Sequence, residues 1–292
     1  DLQIFFATSD GDVRQNALSD FTNVMRNGKI AMKLPDGVSL VNARICDEND
    51  DIMLVTSGGR AIRFPTTEVR VFKSRGSTGV RGIRLAGEDR VVSMSVIRHF
   101  DATPGERAAY LKMRRAQEGL SDEPEAEDED GAVSAGELSL ERFAEMSAQE
   151  DLILTITQGG SGKLSSSHDY PVRGRGGQGV KAMAGRNGAL IACFPVERSD
   201  QVMLATSTGQ SIRCPVEGIS FRSRSAGGVK VFDTAVGEEV VSVARGAGTR
   251  RDRPVDRGTR GADGRRCCGR VPVSGRTLPR EGRGRIACAR VL

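Results

Sequence analysis

The sequence predicts an all-β fold of propeller type, with about four four-stranded blades. The main evidence is a repeat of about 50 residues that occurs four times along the 292-residue chain. Within each repeat, short apolar runs alternate with glycine turns, and no repeat shows sustained helical periodicity. Four short strands in about 50 residues are typical of one propeller blade.

The first two strands of each repeat are predicted to form a hairpin. The first strand is an apolar run that suits a strand buried on both faces, and these runs begin at residues 1, 51, 151 and 201. A turn containing glycine follows, such as T-S-G-G-R-A-I-R at residues 56–63, because glycine supplies the positive φ that a tight hairpin needs. The second strand carries a basic residue that we expect at one fixed place in the repeat: Arg14, Arg63, Lys163 or Arg213.

The other two strands complete each blade. We predict third strands at residues 29–34, 80–85, 180–183 and 229–232, each beginning after a turn. Fourth strands, rich in β-branched residues, are predicted at residues 40–45, 91–96, 190–194 and 240–243.

A basic glycine turn precedes the third strand in three repeats. The three segments read S-R-G-S-T-G-V-R-G-I-R-L at residues 74–85, V-R-G-R-G-G-Q-G-V-K-A-M at 172–183 and F-R-S-R-S-A-G-G-V-K-V-F at 221–232. Arg75, Arg175 and Arg224 align, and a Gly-Val pair follows each of them. The first repeat offers Arg14, Arg26, Lys29 and Lys33 but lacks this turn, so we expect it to bind anions most weakly.

The repeats divide the chain into four regions. Residues 1–100 hold two blades, 101–150 an insertion, 151–248 two further blades, and 249–292 an arginine-rich tail. The insertion carries a net charge of −9 and the tail a net charge of +9, whereas the whole chain has +5.

The insertion is predicted to be partly helical and partly disordered. Thr103, Pro104 and Glu106 form a capping box for a helix that ends near Gly119, and Ser139 caps a second helix over 140–148. The acidic run between them, residues 121–131, is expected to be disordered. It is either a solvated loop or an acidic mimic of nucleic acid that competes for a basic face.

The tail is also predicted to have no fold. It contains 13 arginines and no lysine. This composition fits either a basic nucleic-acid-binding arm or a GC-rich gene read in the wrong frame.

Several classes of protein are disfavoured by the composition. No apolar run reaches the length of a membrane span, and six cysteines without C-x-x-C spacing, with only two histidines, disfavour a zinc site. The cysteine usage is typical of a reducing, cytoplasmic compartment. The chain lacks an initiator methionine and looks like a fragment that begins inside a strand.

The recurring cations predict sequence-independent binding to duplex DNA. Such binding requires lysine and arginine repeated along a surface, with glycines that let the backbone approach the phosphates. Aromatic residues make up only 4% of the chain, which disfavours single-stranded nucleic acid. The candidate phosphate contacts are Arg63, Lys73, Arg75, Arg81, Arg84, Lys163, Arg173, Arg175, Lys181, Arg213, Arg222, Arg224 and Lys230.

The repeat phrases resemble the C-terminal domain of the A protein of DNA gyrase, a type II topoisomerase. They include T-S-x-G-x-x-I-R, R-G-S-T-G-V-R-G-I-R-L and D-Q-V-M-L-A-T, and the resemblance covers residues 1 to about 245. The insertion that begins R-H-F-D-A-T-P-G-E-R at Arg98 is similar to the one in gyrase A proteins of alphaproteobacteria. The resemblance implies a β-pinwheel, a propeller of six blades that exchange strands and wrap duplex DNA around a basic rim.

The resemblance also implies what this stretch lacks. The catalytic tyrosine of the family lies in an upstream domain, so we expect no activity and no cofactor here. ATP and Mg²⁺ are implied only for the holoenzyme, in which the gyrase A and gyrase B proteins assemble as A2B2 to supercoil DNA. Residues 173–179 resemble the signature Q-R-R-G-G-K-G of the first blade, with Gln178 in place of lysine.

Two other classes stay open. A protein-interaction propeller of the chromosome-condensation-regulator type would show a similar period, but its binding would not depend on salt. A propeller-fold hydrolase would need His, Asp or Glu converging on a central channel, and the two histidines, His99 and His168, give that hypothesis little support.

Overall fold

The computed structural model describes residues 2–24, 26, 28–120, 136–183 and 188–246. The acidic run at 121–131 and the tail at 249–292, both predicted to be disordered, lie outside the described residues. No helix in the described ranges is long and apolar enough to cross a membrane.

Strands dominate the described chain. They are β1 (Gln3–Thr8), β2 (Asp12–Ala17), β3 (Leu40–Cys46), β4 (Asp50–Thr56), β5 (Arg60–Pro65), β6 (Val80–Arg81), β7 (Val91–Arg98), β8 (Leu152–Thr157), β9 (Ser161–Ser166), β10 (Val180–Lys181), β11 (Leu190–Val196), β12 (Gln201–Thr206), β13 (Ser211–Pro215), β14 (Val229–Lys230) and β15 (Val240–Gly246). A short 3-10 helix follows the second strand of every repeat: Leu18–Phe21, Thr66–Glu68, Ser167–Asp169 and Val216–Gly218.

The strands form four antiparallel sheets that exchange strands between neighbours. The sheet orders are β3-β1-β2-β6, β10-β5-β4-β7, β11-β8-β9-β14 and β13-β12-β15. The third strand of the second, third and fourth repeats therefore pairs with the second strand of the preceding repeat, as β6 does with β2. The predicted propeller with exchanged strands is confirmed. We call β6, β10 and β14 the donated strands, because each joins the sheet of the preceding repeat. The described fourth blade has three strands, since no donated strand pairs with β13.

Neighbouring blades share their hydrophobic cores. Phe5 and Val13 of the first blade pack in one cluster with Ile52 and Phe64 of the second. Equivalent clusters join the second blade to the third and the third to the fourth. The fourth strands of the repeats, β3, β7, β11 and β15, line a common central cleft. The donated strands β6, β10 and β14 lie at the opposite, outer edge of the first three sheets.

One predicted strand is wrong. Residues 29–34 of the first repeat are not a strand, although Met32 packs against Ile4 and Phe6. A third strand forms only by pairing with the second strand of a preceding repeat, and the described residues contain no such strand for 29–34. The donated strands that do form are also shorter than predicted, at two residues each.

The insertion contributes two helices, α1 (Pro104–Gln117) and α2 (Leu140–Ala148). Thr103 and Glu106 form the predicted capping box, and the Ser139 side chain caps α2. The helices pack on the third blade at His168, whose Nε2 lies 2.9 Å from the carbonyl oxygen of Met146. The His168 ring also makes an edge contact with Tyr110 of α1, at 5.0 Å between centroids.

Candidate nucleic-acid interface

A cation recurs at the second position of every donated strand. Arg81 on β6, Lys181 on β10 and Lys230 on β14 are all exposed. Arg81 lies 3.7 Å from Asp12, and Lys230 pairs with Asp233, which is itself almost fully exposed. Because these strands form the outer edges of three sheets, the three cations follow one another along the rim.

The glycine before each donated strand allows the strands to pair. Gly79 has a φ of +125°, and a Cβ there would lie 2.4 Å from the carbonyl oxygen of Val13. At Gly179, with a φ of +69°, the Cβ would lie 2.3 Å from the Ala61 carbonyl oxygen. The Gly-Val pair that aligns the repeats in the sequence is therefore a requirement of strand exchange.

The aligned arginine of each basic turn binds the preceding repeat. Arg175 donates through Nε to the Glu68 carbonyl at 2.9 Å and through Nη1 to the Arg81 carbonyl at 3.0 Å. Arg224 makes the same two bonds, to the carbonyls of Asp169 and Lys181, both at 2.8 Å. In the second repeat, Arg75 donates to the Ile30 carbonyl at 2.9 Å. These arginines hold neighbouring repeats together.

Burial distinguishes the three aligned arginines. Arg175 is exposed, Arg75 is half-buried and Arg224 is buried. The backbone N–H of Arg224 also donates to the Asp169 carboxylate, at 2.6 Å. Burial raises the pKa of Asp169, and the charge of Arg224 opposes this rise. Arg224 is thus placed to stabilise a buried carboxylate, away from the solvent-facing rim.

The basic residues of the second strands do not occupy one fixed place, so that prediction is wrong. Counted from the threonine that ends the first strand, Arg14 and Lys163 stand six residues on, whereas Arg63 and Arg213 stand seven residues on. Successive side chains of a strand point to opposite faces, so the two pairs face in opposite directions.

The cations six residues after the threonine hold the next basic turn. Lys163 is fully buried, and its Nζ donates to the carbonyls of Ser223 at 2.9 Å, Ala226 at 2.7 Å and Arg224. Arg14, also fully buried, donates to the carbonyl of Ser77 in the second turn. In the sequence, this role is indicated only by the spacing from the threonine, which determines the face of the strand on which the cation lies.

In the first two repeats, the residue seven positions after the threonine donates to the 3-10 helix of the next repeat. Gln15 donates to the Thr66 carbonyl at 3.2 Å. Arg63 donates to the Ser167 carbonyl at 2.9 Å and pairs with buried Asp51 at 2.7 Å. Arg213 occupies this position in the fourth repeat and is exposed. Because Gln15 carries no charge, the pattern of basic residues in the sequence does not indicate this role.

The remaining candidates lie along the basic turns. Lys73 and Arg84 are exposed, and Arg173 and Arg222 are half-buried. Arg70 was not predicted from the sequence, although it is exposed and its guanidinium lies 4.4 Å from the ring centre of Phe72. Its position shortly before the basic turn at residues 74–85 is the feature of the sequence that could have indicated it.

Fold and rim together define a strand-exchanged β-propeller with a cationic outer edge. The chain belongs to the DNA gyrase C-terminal domain family, whose model, described as a β-propeller, matches residues 3–47, 50–98, 151–197 and 200–245. Each matched segment is one repeat, and the insertion falls between the second and third.

Individual relatives agree with this assignment. The DNA gyrase A protein of Granulibacter bethesdensis is 46% identical over 256 residues, and that of Rickettsia bellii is 39% identical over 245 residues. Each alignment covers 83% of this chain and 27% of the relative, so the chain spans about a quarter of the length of these proteins.

Two solved structures share the fold at low sequence identity. The C-terminal domain of DNA topoisomerase IV superposes with a TM-score of 0.62 at 19% identity, covering 85% of this chain and 62% of that one. The DNA gyrase A C-terminal domain gives a TM-score of 0.59 at 18% identity, covering 84% and 66%.

Proposed function

We propose that this chain binds duplex DNA without reading its sequence, along the outer edge of its blades. The observation that carries the proposal is the exposed cation at the same position of three consecutive donated strands, Arg81, Lys181 and Lys230. Lys73 and Arg84 extend the same edge, and Arg175 joins it because its side chain is exposed.

The buried cations have a different part in this proposal. Arg63, Lys163 and Arg224 are nine-tenths or more buried and donate to backbone carbonyls of neighbouring repeats. A phosphate would have to displace these bonds to reach them. We therefore assign the phosphate contacts to the exposed cations and give the buried ones the task of holding the blades in line.

A curved row of cations suits a stiff polyanion. Bending a site of 20–30 bp by 40–90° costs on the order of 1–6 kcal/mol, so several phosphate contacts must act together to offset it. Cations on successive blades meet the DNA at successive points, and each contact releases condensed counterions. Wrapping would then increase with the number of blades engaged.

Membership of the family supports a role for this activity within gyrase. We propose that the chain serves as the DNA-wrapping part of the gyrase A protein in a cytoplasmic A2B2 enzyme with the gyrase B protein, which introduces negative supercoils with ATP and Mg²⁺. The repeats themselves would bind DNA only, without a cofactor.

Salt titration tests the proposal directly. We expect the logarithm of the binding constant for a 40-bp duplex to fall linearly with the logarithm of salt concentration, at a slope of about −0.9 per phosphate contacted, and equally for two unrelated sequences. A flat salt response would overturn the proposal and favour a protein-interaction propeller. The titration is made by fluorescence anisotropy on the full chain and repeated after removal of residues 249–292, so that the tail cannot supply the slope.

A further inference from the structure

We propose that Lys163 is a positioning residue, which shapes the fourth basic turn so that the cations around it can meet DNA. This inference rests on the proposed function and deepens it. It concerns a residue that the sequence alone suggests as a phosphate contact.

The contacts of Lys163 match the chemistry of an ammonium group. Its Nζ has three N–H donors, and three carbonyl oxygens of one turn accept them, those of Ser223, Arg224 and Ala226. The side chain is fully buried, and its bonds to the Ser223 and Arg224 carbonyls form away from bulk water, whereas the bond to Ala226 is part-buried. The turn at residues 223–226 therefore curls around the Lys163 nitrogen.

The surroundings balance the buried charge. Asp169 is also buried; burial raises its pKa, and the charges of Arg224 and Lys163 oppose this rise. Arg224 and Asp169 are linked through both backbone and side chain. The turn is thus fixed from two sides, by Lys163 on β9 and by the 3-10 helix of the third repeat.

Comparison between repeats shows that this arrangement is not general. The position of Lys163 holds Arg14 in the first repeat, but it holds Ile62 in the second and Ile212 in the fourth. The third turn, which faces Ile62, is instead held by backbone bonds: Gly176 N–H to Gly82 at 2.6 Å and Arg84 N–H to Gly177 at 2.8 Å.

The fourth turn leads directly into the DNA-binding edge. Arg222 lies just before it, and Lys230 follows it on the donated strand β14. Loss of the ammonium would remove one donor from each of three carbonyls, and the Ser223 carbonyl alone would keep the Ala226 N–H at 3.2 Å. The turn would have to open to solvate the carbonyls of Arg224 and Ala226. Arg222 and Lys230 would then lose their fixed positions.

The test compares Lys163→Ile, the residue found at this place in two other repeats, with Lys163→Arg. In the free protein, we expect Lys163→Ile to speed amide hydrogen exchange at residues 222–228 by about tenfold or more, while residues 172–179 exchange as in the wild type. We expect the salt slope of DNA binding to become shallower by about 0.9, the value for the one phosphate contact assigned to Lys230. Lys163→Arg should restore most of the protection and the slope, as Arg14 does for the second turn.

Unchanged amide exchange at residues 222–228 in Lys163→Ile would overturn the inference. If exchange shows that the turn has opened, a salt slope equal to that of the wild type would also overturn it. If Lys163→Ile does not fold, Lys163→Gln replaces it, because an amide has two donors where the ammonium has three. An intermediate gain in exchange supports the inference, and wild-type exchange contradicts it. A wild-type protein with no salt-dependent DNA binding would refute the proposed function, while the exchange result would still decide the role of Lys163.

Discussion

The first three blades differ from the fourth in how their second strand is covered. All six residues of β9 are buried, whereas β13 has no buried residue. Strand β9 receives β14 and the fourth basic turn from the next repeat. In the described chain, no repeat follows to cover β13 in the same way.

This difference shows that the following repeat determines whether a side chain on the second strand is buried or exposed. Arg63 and Arg213 stand at the same place in their repeats, yet Arg63 is buried against the third repeat and Arg213 is exposed. Cations with the same position in the sequence therefore have different tasks. Substitutions that uncover a strand, or that remove one of these cations, should therefore have different effects in the different blades.

Replacing the two matched arginines should give opposite results. We expect Arg63→Met to lower the free energy of unfolding by about 3 kcal/mol, because buried Asp51 would lose the guanidinium that pairs with it at 2.7 Å and would keep His99 as its ion-pair partner among the described residues. Arg213→Met should change it by less than about 0.5 kcal/mol. Urea denaturation measures both, and equal losses would show that the contact with the next repeat does not set the stability.

A glycine substitution should make the third blade resemble the fourth. A Cβ on Gly228 would lie 2.9 Å from the backbone N and O of Gly162, so we expect Gly228→Ala to push β14 away from β9 at a cost of about 1–3 kcal/mol. Gly227→Ala is the control, because nothing lies within 4 Å of its Cβ. Amide exchange along β9 should quicken only in Gly228→Ala, and protection equal to that of the control would argue against the donated strand as the cover.

The insertion helices cover His168 of the third blade, and this contact should make the stability of the blade depend on pH. Burial lowers the pKa of His168, with Arg63 and Arg107 acting in the same direction and the Met146 carbonyl and Glu150 opposing them. The folded protein therefore prefers neutral His168, so its contribution is complete above the ordinary value of 6.5 and is lost as the pH falls below it.

His168→Gln isolates this contribution, because glutamine keeps an N–H donor for Met146 but does not titrate. Between pH 8 and 5, the wild type should lose stability relative to His168→Gln, by at most about 1.4 kcal/mol per pH unit. His99 is present in both proteins; burial opposes its protonation, but Asp51 and Asp101 raise its pKa overall. Urea midpoints that move in parallel with pH would contradict the role given to His168.

The sequence predicts the repeating fold well because strand periodicity and glycine turns are local signals. It predicts the helices of the insertion for the same reason, since the capping box of Thr103 and Glu106 lies within four residues. The failure at residues 29–34 has a nonlocal cause, because that strand needs a partner from another repeat.

The candidate interface was predicted only in part. Arg81, Lys181 and Lys230 follow a visible Gly-Val pair, and they are exposed. Arg63 and Lys163 look alike in the sequence, but a one-residue difference in spacing turns their side chains to opposite faces of the strand. The composition does not reveal that both cations already donate hydrogen bonds to backbone carbonyls of the next repeat.

We expect the exposed cations of the donated strands to contact DNA. The salt dependence of duplex binding by the triple variant Arg81→Gln, Lys181→Gln and Lys230→Gln tests this expectation. The control removes three exposed cations away from the donated strands, by Arg44→Gln, Arg98→Gln and Lys112→Gln, so that the net charge is the same. We predict that the slope becomes shallower by about 2.7, at about 0.9 per contact, in the rim variant and stays near the wild-type value in the control. Equal slopes in the two variants would contradict this expectation.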